Sequence, residues 1–185
     1  MEPESGSRVP PVAWVAGLAL IAVAGLLILM GEPIEPPLSR GDSAPAFALP
    51  SLVDGAPIAL DDLRGRVVLV NFWATWCKPC EDEMPAMENL YRALNEDGFE
   101  LIAVAVDESR DDVEAFRERL GVTFPILLDP DQKAARAYQT TGFPESILVD
   151  DNGVIIERYV GPREWDHPDY VARVQRLMEA SKSRI

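Results

Sequence analysis

Cys77 and Cys80 are the only two cysteines among 185 residues, and only Lys78 and Pro79 separate them. Two thiols at that spacing can pass between dithiol and disulfide by closing one small ring, a two-electron change carried by sulfur. Other uses of the pair fit less well. A structural zinc site takes four ligands, and beyond the sulfurs the chain offers only His167 and carboxylates. A purely structural disulfide across so short a loop adds only about 2 kcal/mol by loop entropy. It would staple residues that the neighbouring elements already hold. Two inert thiols would need neither Trp76 nor Pro79 beside them.

Positioning such a pair falls to what lies on either side. The apolar run Arg66–Trp73 reads as a buried strand, and Glu81–Asn95 reads as a helix with Met84, Met87, Leu90, Tyr91 and Leu94 on one face, a period near 3.6. At a strand-to-helix junction, Cys77 meets the unpaired amides and dipole of a helix N-terminus, which favour a thiolate, and Lys78 adds positive charge. Cys77 is therefore the expected nucleophile and Cys80, one turn inward, the resolving thiol. Glu83 stands at i+3 from Cys80, on the same helical face. By spacing it is either a proton acceptor for Cys80 or one more solvated acid beside Glu81, Asp82 and Glu88.

The remaining segments alternate in type. Phe47–Leu49 and Ile58–Leu60, parted by Asp54-Gly55, suggest a hairpin, followed by a helical turn near Asp61–Leu63. Leu101–Val106 is continuously apolar, the pattern of a strand covered on both faces. Ser109 and Asp112 resemble a helix cap ahead of Val113, Phe116 and Leu120. A strand at Phe124–Leu128, a helix around Lys133–Tyr138, strands Glu145–Val149 and Val154–Tyr159 about an Asn152-Gly153 turn, and a helix over Pro168–Ala180 complete the chain. These elements predict a three-layer α/β sandwich with a mixed central sheet. Trp73 is expected in the core and Trp76 over the thiols; Pro85 is expected to kink its helix, and His167 to cap or decorate the last one.

The front of the chain is different. Residues 12–30 carry no charge; as a helix, nineteen residues span about 28 Å, close to a hydrocarbon core of about 30 Å. A signal peptide would have a shorter apolar core and a small-x-small cleavage site, for which Leu29-Met30-Gly31 is a poor match. The division expected is a cytoplasmic N-terminus over 1–8, a transmembrane anchor over 9–31, a proline-rich linker over 32–45 and a folded domain over 46–185. Arg8 favours retention of the N-terminus in the cytoplasm, which places the folded domain on the far side of a single-pass inner membrane. Without Glu2, Glu4 and Arg8 the rest holds 29 acids and 16 bases, a net −13. That charge opposes nucleic acid and anionic lipid headgroups as partners.

The run from Val70 to Cys80, Pro85 five residues beyond, and Gly142-Phe143-Pro144-Glu145-Ser146 ahead of a hairpin resemble thioredoxin-fold proteins. More narrowly, residues 40–181 are similar to the TlpA/ResA-type thiol-disulfide oxidoreductases, including the reductases of cytochrome c maturation. The resemblance implies a thioredoxin-like fold with an inserted strand and helix near 121–138, and a periplasmic or equivalent domain on one N-terminal helix. It implies no cofactor beyond the Cys77–Cys80 disulfide, no metal, protein disulfides as substrates and an integral-membrane thiol as electron donor. Clients by this likeness are apocytochrome c haem-site or copper-site cysteines. Pro144 becomes the cis proline facing the dithiol, with Phe143 offering a backbone edge to an extended client and Glu145 matching a Pro-Glu pair of the cytochrome-maturation members. Trp76, Lys78 and Pro79 form the active-site surroundings. The thioredoxin aspartate on the preceding strand is here Asn71, which cannot act as a base, and Glu83 matches the glutamate implicated in the ResA-like branch.

Two neighbouring classes lack support. A peroxiredoxin needs a Pro-x-x-x-Thr-x-x-Cys pattern, whereas Thr75 stands two residues before Cys77 with no proline ahead of it at that spacing. A Sco-type copper chaperone needs wider cysteine spacing and a placed histidine.

Overall fold

The computed structural model describes residues 36–107 and 109–183, with scattered positions between 13 and 26. The chain divides into two units, Met1–Pro36 and Pro37–Ile185. Among the described residues no helix is long and apolar enough to cross a membrane, and the anchor expected over 9–31 falls largely outside them.

The second unit opens with the antiparallel hairpin β1 (Ala48–Pro50) and β2 (Pro57–Ala59). Its turn uses Gly55 at φ 72°, a left-handed conformation glycine adopts without penalty, and Asp54 accepts the Ala56 N–H at 3.1 Å. A single 3-10 turn, Leu60–Leu63, then leads to β3 (Val67–Trp73), buried at every residue. Helix α1 (Lys78–Leu94) follows, then β4 (Phe99–Ala105), α2 (Arg110–Leu120), β5 (Ile126–Leu128), α3 (Lys133–Ala137), β6 (Glu145–Val149), β7 (Ile155–Val160) and α4 (Pro168–Lys182). Five strands make one sheet in the order β5-β4-β3-β6-β7. β3, β4 and β5 run parallel, while β6 and β7 are antiparallel to their neighbours. The mixed sheet is as expected, and β3 lies at its centre because both of its faces are apolar enough to be covered.

Alternation along β3 sorts the layers. Asn71 and Trp73 face α1 and α2: Asn71 bonds Glu83, and the Trp73 ring lies 4.6 Å from that of Phe116. Asn89 of α1 bonds Asp166 just ahead of α4, which places α4 on this face as well. Phe72 points the other way, to Tyr138 at 5.2 Å, with Phe47 beyond. The opposite layer is thus thinner, made of α3, Tyr138 and the opening hairpin. Trp73 is completely buried, in the core as expected. His167 caps α4, its Nδ1 accepting the Asp169 N–H at 3.3 Å. Strand β4 starts two residues earlier than the apolar run suggests, since Phe99 pairs with Val67.

Candidate active site

The redox pair sits where β3 ends. Helix α1 begins at Lys78, three residues before the sequence suggests, because Cys77 itself is the cap. The Cys77 carbonyl accepts the Cys80 and Glu81 N–H groups at 3.0 and 3.1 Å, and its Sγ accepts the Cys80 N–H at 3.3 Å. Pro79 occupies the first turn, where a missing N–H costs nothing. The two sulfurs are joined in a disulfide. Cys77 keeps 6% of its surface in solvent and Cys80 none, so an incoming sulfur meets Cys77. The Cys80 N–H thus points at that sulfur from the first turn of the helix, the setting in which reactive cysteines are found.

Several contacts fix the loop ahead of the pair. Asp107, at the end of β4, accepts the Thr75 N–H through both oxygens at 3.1 and 3.0 Å, and the Thr75 hydroxyl at 2.5 Å. Trp76 is 71% exposed and meets Phe143 edge-on with centroids 6.0 Å apart. A groove of about 540 Å³ runs along its flank, with Thr75, Asp107 and Asp112 in its walls. Lys78 directs its ammonium to Asp82 at 2.7 Å, and Arg119 reaches Glu81 at 2.8 Å. The charge of Lys78 is thus shared with a carboxylate one turn along the helix, which weakens its expected pull on the Cys77 sulfur.

Glu83 is the most unusual group here, a carboxyl only 3% exposed on the sheet-facing side of α1. Its Oε1 accepts from Asn71 Nδ2 at 2.9 Å, and its Oε2 accepts from the Arg163 N–H and Trp165 Nε1, each at 3.0 Å. Burial drives its pKa up and these three donors, with the Arg163 charge, pull it back, leaving it at about 7. A cleft of about 250 Å³ lined by Asp82, Pro162, Arg163 and Glu164 borders it. The solvated-acid alternative for Glu83 is therefore excluded by its surroundings.

The segment that meets Trp76 leads into β6. The Phe143–Pro144 peptide is cis, Phe143 is half-buried and Pro144 is buried. Glu145 has no exposed surface. It is ion-paired with Arg158 and accepts the Thr141 N–H at 2.9 Å, while Arg158 also donates to the Tyr138 carbonyl at 2.6 Å. Its carboxylate braces the loop that carries Phe143 and Pro144 and has no face left for a client. Arg163, Trp165, Ser146 and Asp107 were not singled out from the sequence. Asp107 had a signal, the first acid after an apolar parallel strand, where α/β proteins place their sites. Trp165 had none, lying 82 residues from Glu83.

Comparison with known proteins agrees with this geometry. The Redoxin family matches residues 39–174. The thiol-disulfide oxidoreductase ResA of Geobacillus thermodenitrificans is 45% identical over 139 residues, covering 75% of this chain and 79% of its own. ResA of Bacillus subtilis is 39% identical over 124 residues, 67% and 69% of the two chains. The crystal structure of a putative thiol:disulfide interchange protein DsbE from Chlorobium tepidum superposes with a TM-score of 0.67 at 33% identity, covering 78% of this chain and 98% of that one. The Cys77–Cys80 disulfide is the chemistry those names describe. With its Cys77–Cys80 disulfide on a thioredoxin-like fold, the chain belongs to the Redoxin family, among the ResA-type thiol-disulfide oxidoreductases.

Proposed function

We propose that the chain is a membrane-anchored reductase of protein disulfides on the extracytoplasmic side of the inner membrane. Its clients are disulfide-bonded haem-site cysteines of apocytochrome c or copper-site cysteines, and an integral-membrane thiol resupplies its electrons. The observation carrying the reading is the unequal pair: Cys77 reaching solvent with 6% of its surface at a helix N-terminus, Cys80 sealed, and a buried carboxyl one turn further on. In the reduced enzyme the Cys77 thiolate attacks one client sulfur, forming a mixed disulfide and expelling the other as a thiolate. Cys80 gives its proton to Glu83, and its thiolate attacks Cys77 Sγ. That step frees the second client sulfur and leaves Cys77–Cys80 oxidised, two electrons having passed to the client.

A base near neutral pKa balances the fraction ionised against proton affinity, and Glu83 is held there by its enclosure. Phe143 pairs by its backbone with an extended client beside Pro144, and Trp76 covers the mixed disulfide. Glu145 acts at one remove, by bracing their loop. Anchoring over 9–31 is supported by the uncharged run of residues 12–30.

The test has two parts. The Cys77/Cys80 couple should equilibrate near −300 mV or lower, about the range of couples resistant to glutathione; a value near the −120 mV of a strong periplasmic oxidant would reverse the direction of electron flow. Cys80→Ala in the full chain should then trap clients as mixed disulfides at Cys77. Failure to trap envelope proteins with paired cysteines rejects the client class.

A further inference from the structure

Asn71 holds a place that the steps above do not use. It is fully buried at the centre of β3. Its Nδ2 gives one hydrogen to Glu83 Oε1 and one to Ser146 Oγ, both at 2.9 Å, while its Oδ1 has no partner. A buried amide with a bare oxygen is uncommon, since such groups cost free energy when left unpaired.

Protonation of Glu83 gives that oxygen a use. Oε2 faces the Arg163 N–H and the Trp165 indole N–H, groups that can only donate. A proton on Oε2 would set O–H against two N–H donors, so the proton belongs on Oε1. There it confronts the Nδ2 hydrogens of Asn71. Turning the amide by half a revolution removes the conflict: Oδ1 then accepts from Glu83 Oε1–H and from the Ser146 hydroxyl, which is free to reverse its own role. In either orientation one atom of the amide stays unpartnered, so the two orientations are balanced closely enough for one proton to decide between them.

We propose that Asn71 is a positioning residue whose side-chain amide turns over, together with the Ser146 hydroxyl, each time Glu83 gains or loses its proton. The base thereby keeps a hydrogen bond in both of its states. An ionised aspartate here could not donate to the carboxylate, and an aliphatic residue could do neither. The charged groups near Glu83 are Arg163 from the loop after β7, Glu164 across the cleft and Asp82 on its own helix. Glu145, beside Ser146 on β6, is engaged by Arg158. These groups shift the midpoint but do not select the oxygen. The catalytic use of this turnover rests on Glu83 receiving the Cys80 proton.

Asparagine-selective ¹⁵N labelling of the full-length oxidised chain tests it, since only four asparagines are present; Asn71→Leu identifies the pair of side-chain amide signals that is lost. Over a titration from about pH 5 to 9, both Nδ2 protons of Asn71 should move upfield together on acidification, with a single midpoint near neutrality, as both lose their acceptors. Glu83→Gln, which must turn its own Nε2 toward Asn71, should hold the low-pH positions throughout. Movement of only the proton facing Glu83, or an unchanged pair, overturns the turnover. The base itself is judged separately, by the rate at which Glu83→Gln releases the mixed disulfide. An unchanged rate rejects Glu83 as base and leaves the amide result standing on its own.

Discussion

Trp165→Phe isolates one of the three donors that hold Glu83. Phenylalanine keeps an aromatic ring against Tyr159 and Tyr170, whose centroids lie 5.1 and 5.2 Å from that of Trp165. It removes the Nε1–H that reaches Glu83 Oε2 at 3.0 Å, together with part of the buried indole, and only the loss of the donor predicts a pH-dependent defect. A hydrogen bond to a charged group contributes about 1.5–3 kcal/mol, which is about 1–2 pH units of ionisation. Starting from about 7, the carboxyl should then titrate at about 8–9. At pH 7 its ionised fraction falls from about one half to between about a tenth and a hundredth, so Cys80-dependent release of a mixed disulfide slows about five- to fifty-fold. The assay is stopped-flow release of a chromophoric thiol from Cys77, followed across pH. The variant should approach the wild-type rate as pH rises past its new midpoint. A deficit of the same size at every pH would mean that the indole merely supports the loop, and the reasoning about donors would be wrong.

Enclosing Glu83 also has a cost in stability with a defined sign. Its folded-state pKa, about 7 against an ordinary 4.5, means that the fold prefers the protonated form. The stability this group allows is fully present below pH 4.5 and is lost as pH rises through 7, by up to about 3 kcal/mol. Glu83→Gln should therefore melt several degrees higher than the parent at pH 8, with the gap closing toward pH 4.5; a gap independent of pH refutes the assignment. Arg158→Leu leaves Glu145 as a buried unpaired charge and should lower stability by about 3–5 kcal/mol at pH 7 in thermal or denaturant melts. A loss under about 1 kcal/mol would show that the pair is not what braces the Tyr138–Pro144 segment.

The chemistry of the site was legible wherever it is local in the chain. A dithiol at a strand-to-helix junction needs Cys77, Pro79 and Cys80 within one turn, so composition and spacing state it directly, and Glu83 shares that helix. The sheet was legible for a related reason: Val67–Trp73 and Leu101–Val106 are so apolar that only central strands could bury them. Hidden were the partners that decide what Glu83 is. Ser146 reaches Asn71 across the β3–β6 pairing, and Arg163 and Trp165 arrive from a loop 80 and 82 residues away. No periodicity encodes such meetings, because they depend on strand order rather than on any one segment. Glu145 shows the same gap from the other side. Its position beside Pro144 suggested contact with a client, yet Arg158 on the neighbouring strand claims its carboxylate. A carboxyl's role follows from its donors more than from its place in a motif. Glu83 and Glu145 are both buried acids, but Glu145 is ion-paired with Arg158, while Glu83 meets two neutral N–H donors and an amide. Burial without an ion pair is what lifts the Glu83 carboxyl to about 7.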